Sequence, residues 1–200
     1  MTLVLVHGAG SGPWVFDSWT PPDGVAVVAV DLQDGLDVAT ASMEDYARVL
    51  VRACDSLPPP LALCGWSMGG LVAMTAWRDV EPESLVLIEP SPPAEVQGAH
   101  HARDAGGTFD PEVVYGRFPE GVAARPESER ARADRKRGIR VASLPDRCLV
   151  VFGGEFEHDR GRAIAAHYGA DAAHFPGLSH WDLVLSPDVH ERVFSFVARA

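Results

Sequence analysis

Short apolar runs alternate along the chain with longer stretches in which apolar and polar positions recur at helical spacing. The runs are Leu3 to Val6, Val25 to Val30, Leu61 to Cys64, Leu85 to Ile88, Leu149 to Phe152 and, more weakly, Ala172 to Phe175. Runs this short, rich in Val and Leu and separated by helices, predict parallel strands covered on both faces. Helical patterns span Ser42 to Leu57, with Ser42 as N-cap and Asp45 at the capping-box position, then Met68 to Arg78, Arg160 to Tyr168 and Pro187 to Ala198. The alternation predicts one doubly wound α/β domain over residues 1–200, built on a mostly parallel sheet of about six strands. In such sheets, sites lie at the carboxyl ends of the strands.

One stretch breaks the alternation. From Ser91 to Leu144 no strand pattern is present, and Pro, Gly and charged residues are frequent. Within it, Pro126 to Arg137 reads as a solvated helix whose arginines are interleaved with Glu and Asp, which disfavours an anion-binding role for them. Inserted between two sheet strands, residues 91–144 are expected to form a lid over the site. No internal repeat is visible.

Composition narrows the function. Apolar residues make up 46% of 200 positions, enough for one globular core. A net charge of −11 argues against a nucleic-acid or anionic-membrane partner, because phosphate binding needs a basic face. No apolar stretch approaches the roughly 20 residues that span a bilayer, and no signal segment precedes the first strand. Cys54, Cys64 and Cys148 lack metal-ligand spacing and read as reduced, buried thiols of a cytoplasmic protein. No metal or other cofactor is implied, and the oligomeric state is not encoded in any pattern.

Chemistry is carried by Gly65-Trp66-Ser67-Met68-Gly69-Gly70, set where a strand passes into a helix. Glycines two residues either side of a serine make the G-x-S-x-G nucleophile elbow, which exposes Oγ beside the positive end of a helix. Such a serine needs a base, an acid and an oxyanion hole. His180, late in the chain after the last strand, fits the Ser…acid…His order. The remaining histidines have no partner motif. Three acids compete: Glu157, which follows the strand Leu149 to Phe152 and holds the usual chain position; Glu89, at the end of Leu85 to Ile88; and Asp159, which reads better as an N-cap. The usual chain position favours Glu157. The oxyanion donors are expected to be the N–H groups of Met68 and of Ala9 in the loop His7-Gly8-Ala9-Gly10, with His7 bracing that loop. Trp14, Phe16 and Trp66 are candidate pocket walls.

Val6-His7-Gly8-Ala9, Asp31-Leu32, the Gly65 to Gly70 elbow and Pro176-Gly177 with His180 together resemble the α/β-hydrolase superfamily. The loop Gly8 to Trp14, Ser42 to Tyr46 and Ser186-Pro187 are similar to the branch of plant-type methylesterases, hydroxynitrile lyases and bacterial esterases. The resemblance covers residues 3 to 90 and 148 to 197. It implies a reduced sheet that begins at the family's third strand, and hydrolysis of an ester without cofactor. Two positions depart from the family: Trp66 stands where a histidine is often found, and Glu157 where the acid is usually Asp.

A dinucleotide-binding reading of Gly8-x-Gly10-x-Gly12 fails, because the third glycine is misplaced and Pro13, Pro21 and Pro22 spoil the helix that would receive a pyrophosphate. The residues therefore point to a serine esterase acting on a small-molecule ester. The alternatives are a lyase or thioesterase on the same triad, or a binding protein that keeps the pocket without turnover.

Overall fold

The computed structural model describes residues 1–97, 118 and 124–199. Six parallel strands form the sheet: β1 (Thr2–Val6), β2 (Ala26–Val30), β3 (Leu61–Trp66), β4 (Ser84–Ile88), β5 (Cys148–Gly153) and β6 (Asp171–Phe175), in the order β2-β1-β3-β4-β5-β6. All six apolar runs are strands. The central β1, β4 and β5 are buried along their whole length, whereas the edge strands β2 and β6 keep partly exposed positions. This difference explains why the Ala172 to Phe175 signal was weak: an edge strand needs fewer apolar residues.

Register sets the site. Trp66 pairs with Ile88, and Ile88 pairs with Val151, so β3, β4 and β5 end at nearly one level. The next residues, Ser67 and Glu89, therefore leave the sheet side by side. Around the sheet lie α1 (Met43–Asp55), α2 (Met68–Val80), the short α3 (Ala94–Gln97), α4 (Glu129–Arg137), α5 (Ala163–Tyr168), α6 (His180–Leu185) and α7 (Pro187–Val197). The capping box at α1 forms as read: the Asp45 N–H donates to Ser42 Oγ, and the Ser42 N–H donates to the Asp45 carboxylate.

Two helix boundaries differ from the sequence pattern. The chain begins to coil at Glu157, in a π-helical turn (Glu157–Arg162) that feeds α5. A further helix, α6, precedes the one read from Pro187: His180 is its first residue, and a second capping box between Ser179 and Asp182 starts it. Part of the expected lid, 98–117 and 119–123, lies outside the described residues. The expected solvated helix over Pro126 to Arg137 is a helix only from Glu129, and it is not solvated throughout: Ala131 and the N-cap Ser128 are buried, the Glu127–Arg135 ion pair is largely buried, and only the Asp134–Arg137 pair reaches well into solvent. All three cysteines are buried and free. Among the described residues, no helix is long and apolar enough to cross a membrane.

Candidate active site

The backbone of Ser67 has φ 56° and ψ −120°, a conformation that costs a serine on the order of 1–3 kcal/mol. Neighbouring glycines make the turn sterically possible. A Cβ at Gly69 would land on the carbonyl groups of Val6 and His7, and one at Gly65 on the Gly69 carbonyl. The strain is held by two backbone bonds to the β4 end: the Ser67 N–H donates to the Ile88 carbonyl (3.0 Å), and the Ser91 N–H donates to the Ser67 carbonyl (2.8 Å). Ser67 Oγ is buried and makes no hydrogen bond among the described residues.

Glu89, one residue beyond β4, is completely buried and has φ 37°. Its Oε1 accepts the Gly153 N–H (2.8 Å), and its Oε2 accepts the Nδ1–H of His180 (2.6 Å), whose ring is likewise buried. A carboxylate taken this far from water needs both donors. Its bond to Nδ1 leaves Nε2 as the basic nitrogen of a neutral imidazole. Burial pushes the His180 pKa below its ordinary value, with the hydrogen bond to Glu89 opposing it.

Several groups fix the histidine. The Glu155 carboxylate accepts the His180 N–H (3.1 Å) at the start of α6, the Trp66 Nε1–H donates to the His180 carbonyl (3.2 Å), and the rings of Trp66 and Phe156 lie 5.0 and 5.4 Å away, centre to centre. Trp66 is fully buried, so the indole braces the elbow against His180. Gly153 is needed because a Cβ there would strike the Leu178 carbonyl in the loop leading to His180.

Glu157, the acid favoured by chain position, does not meet His180. It accepts a bond from Arg162 Nε–H (2.6 Å), which with other nearby charges lowers its pKa, and lies 3.7 Å from His174 on β6. The π-helical turn carries it past the β5 end toward the sheet edge. Asp159 is exposed within the same turn, and Phe156 rather than Asp159 precedes the first coil. Of the three candidate acids, the structure brings Glu89 to the histidine.

The loop after β1 is arranged from its histidine. His7 Nε2 accepts the Leu32 N–H (3.2 Å), so Nδ1 carries the proton and donates to the Gly8 carbonyl (2.9 Å). Ser11 Oγ donates to the same carbonyl (2.9 Å). In a trans peptide the N–H of Ala9 must point opposite to that carbonyl. A Cβ on Gly8 would stand 3.1 Å from Ser67 Cβ, which places this peptide against the nucleophile. Met68 opens α2, so its N–H is among the four with no partner inside the helix.

Trp14, Phe118, Trp181 and Trp66 form a contiguous aromatic cluster: Trp14 stacks on Trp181 at 6.2 Å, Phe118 meets Trp181 at 5.2 Å, and Trp66 meets Trp181 at 4.8 Å; Trp66, expected as a pocket wall, is fully buried and packs inside this cluster. Phe16 is buried against Trp19, away from these rings. Trp181, Glu155 and Gly153 were not singled out from sequence as site residues. The Gly153-Gly154 pair after a strand and the Ser179-x-x-Asp182 spacing were the available signals. A cavity of about 390 Å³ is lined by Pro92, Val96, Gln97, Phe156, Asp159, Arg160 and Ala163, and reaches His180 only through Phe156, whose ring meets the imidazole. Among the described residues, no group of three or more His, Cys, Asp or Glu could hold a metal ion.

A six-stranded parallel sheet with a strained serine between β3 and α2 is an α/β-hydrolase arrangement. A family model described as the alpha/beta hydrolase family matches residues 3–194, and the chain belongs to that family. It is 38% identical over 96 residues to the pimeloyl-[acyl-carrier protein] methyl ester esterase of Aromatoleum aromaticum, covering 45% of this chain and 37% of that protein. It is 33% identical over 122 residues to the esterase of the same name from Klebsiella pneumoniae, covering 57% of this chain and 44% of that protein. The match thus spans less than half the length of either relative. A solved methylesterase from Arabidopsis shares the fold with a TM-score of 0.69, at 19% identity, over 100% of this chain and 98% of that one.

Proposed function

We propose that the protein is a serine hydrolase that cleaves small carboxylic esters, methyl esters among them, through an acyl-enzyme. The buried Glu89–His180 pair beside the strained Ser67 turn is the observation that carries this reading. In it, His180 Nε2 removes the Ser67 proton as Oγ attacks the acyl carbon, and Glu89 stabilises the imidazolium that forms. The Ala9 and Met68 N–H groups receive the oxyanion. His180 then protonates the leaving alcohol and, in the second half-reaction, activates water to release the acid. That Ser67 Oγ has no hydrogen bond among the described residues is compatible with this scheme, because catalytic hydrogen bonds often tighten only in the substrate complex.

The names of the curated relatives favour an acyl methyl ester as substrate, and of the clustered aromatic rings the half-buried Trp14 is the one placed to meet an apolar arm. Residues 91–144 are the natural cover for the site in this reading, and free buried thiols suit a reducing cytoplasm. The test is covalent labelling with a fluorophosphonate, followed by p-nitrophenyl ester turnover. Ser67 should label in folded protein and Ser67→Ala should neither label nor turn over; a folded wild type that does neither refutes the proposal.

A further inference from the structure

The cavity whose Phe156 wall packs against His180 is also lined by a cationic side chain to which the ester chemistry assigns no role. Arg160 lines it, with its guanidinium carbon 4.1 Å above the Phe156 ring, and that ring packs edge-on against His180. Pro92 and Val96 also line it, just beyond Ser91, whose N–H is bonded to the Ser67 carbonyl. The cavity is therefore flanked by the segment that holds the nucleophile and by the aromatic ring that supports the base. Its place over the Phe156 ring limits the freedom of the guanidinium, and a pre-placed fork loses less freedom when it binds an oxygen acid. The charge of Arg160 also reaches the active centre, since it acts on His180 to disfavour the imidazolium.

We propose that this cavity is a subsite for a carboxylate carried by the substrate, with Arg160 as the specificity-determining residue. The inference rests on the ester-hydrolase reading of Ser67 and names its substrate class: half-esters and acyloxy acids, which hold a carboxylate a few bonds from the scissile ester. Asp159, an exposed carboxylate, also lines the cavity. A carboxylate bound here also offsets the charge that Arg160 places near His180, so it would assist formation of the imidazolium.

The experiment measures binding separately from turnover. Mono-methyl glutarate and its isomer 4-acetoxybutyrate, with the anion on the acyl and the alcohol arm respectively, are titrated calorimetrically into Ser67→Ala, into Ser67→Ala/Arg160→Met and into Ser67→Ala/Arg160→Lys. Neutral dimethyl glutarate is the control. At least one anion should bind more tightly than the control and lose about 10- to 100-fold in affinity with Arg160→Met, as expected for a charge-assisted bond, with Lys restoring part of it. On the Ser67 enzyme, the kcat/KM ratio of that anion over dimethyl glutarate should fall by a similar factor. Binding of both anions no tighter than the control, or independent of Arg160, overturns the subsite even if wild type hydrolyses esters. An Arg160-dependent affinity without turnover of any ester supports the subsite and counts against the hydrolase reading alone.

Discussion

Glu89 Oε2 and His180 Nδ1 lie 2.6 Å apart, both side chains almost wholly buried, although 91 residues of chain separate them. A pair this dry has no water to substitute for a lost partner, so its contribution to catalysis should be large and specific. Glu89→Gln should lower kcat about 10²- to 10⁴-fold, because a neutral amide can neither stabilise the imidazolium nor enforce the Nδ1–H tautomer. Glu157→Gln, which alters a surface bond to Arg162, should stay within about threefold of wild type. Steady-state kinetics on a p-nitrophenyl ester decides this, and the reverse ranking would return the acid to Glu157.

The acid illustrates what sequence can and cannot specify. The strands, the elbow and the position of His180 were legible because each is written locally, as an apolar run, a glycine spacing or a place in chain order. The choice between Glu89 and Glu157 is not local. It depends on the level at which β4 and β5 end, on the Gly153 N–H that receives Glu89, and on the route of the chain through the π-helical turn. Helix α6 was missed because six residues carry little periodicity, although its capping box was present in the sequence. Trp66 was legible as an oddity, but its role as a brace appears only when His180 is packed beneath the indole.

Activity and stability should both depend on His180, with a worked-out sign. Burial lowers its pKa below the ordinary value of about 6.5, so the neutral, basic form persists to lower pH and the acid limb of kcat/KM should fall below pH 6.5. Glu89 raises that pKa, so in Glu89→Gln the limb should move lower still, read on the residual activity. For stability, the unfolded chain binds more protons than the fold between the lowered value and about 6.5, so stability is complete above about pH 6.5 and is lost as pH falls through that window. His190, also lowered by burial, adds with the same sign. Asp45, at about 2, acts only in more acidic solution. Urea midpoints at pH 7.5 and 5.5 should therefore differ in favour of the higher pH.

Gly153→Ala should damage the site without touching a reacting group. The new methyl would collide with the Leu178 carbonyl, forcing the loop before His180 outward and loosening the Glu89 anchor. Overpacking of this kind costs about 1–3 kcal/mol. Gly177→Ala is the control, since nothing lies within 4 Å of a Cβ there. Chemical denaturation and kcat should fall together for Gly153→Ala and remain near wild type for Gly177→Ala.

Strain at Ser67 should be measurable as stability that the elbow forgoes. Replacing Ser67 by Ala keeps a Cβ in the same unfavourable φ and ψ, whereas Gly tolerates that region. Ser67→Gly should thus unfold at a higher urea concentration than Ser67→Ala, by about 1 kcal/mol after the greater backbone entropy of glycine is deducted. Equal stabilities would show that the turn is not strained.

The loop after β1 offers a test of the oxyanion assignment that leaves Ser67, His180 and Glu89 intact. Ser11 Oγ and His7 Nδ1 both donate to the Gly8 carbonyl, and that carbonyl fixes the direction of the Ala9 N–H. Ser11→Ala removes one donor from a buried site and leaves the other, so the peptide should stay in place but rock more freely. The stability cost should be about 1 kcal/mol. Complete loss of an oxyanion donor costs about 10²- to 10³-fold in kcat, so a loosened donor should cost less, on the order of 3- to 30-fold. Because the oxyanion develops only in the transition state, kcat should fall while KM changes little. A rise in KM at unchanged kcat would assign the loop to ground-state binding, and Ala9 would no longer be an oxyanion donor.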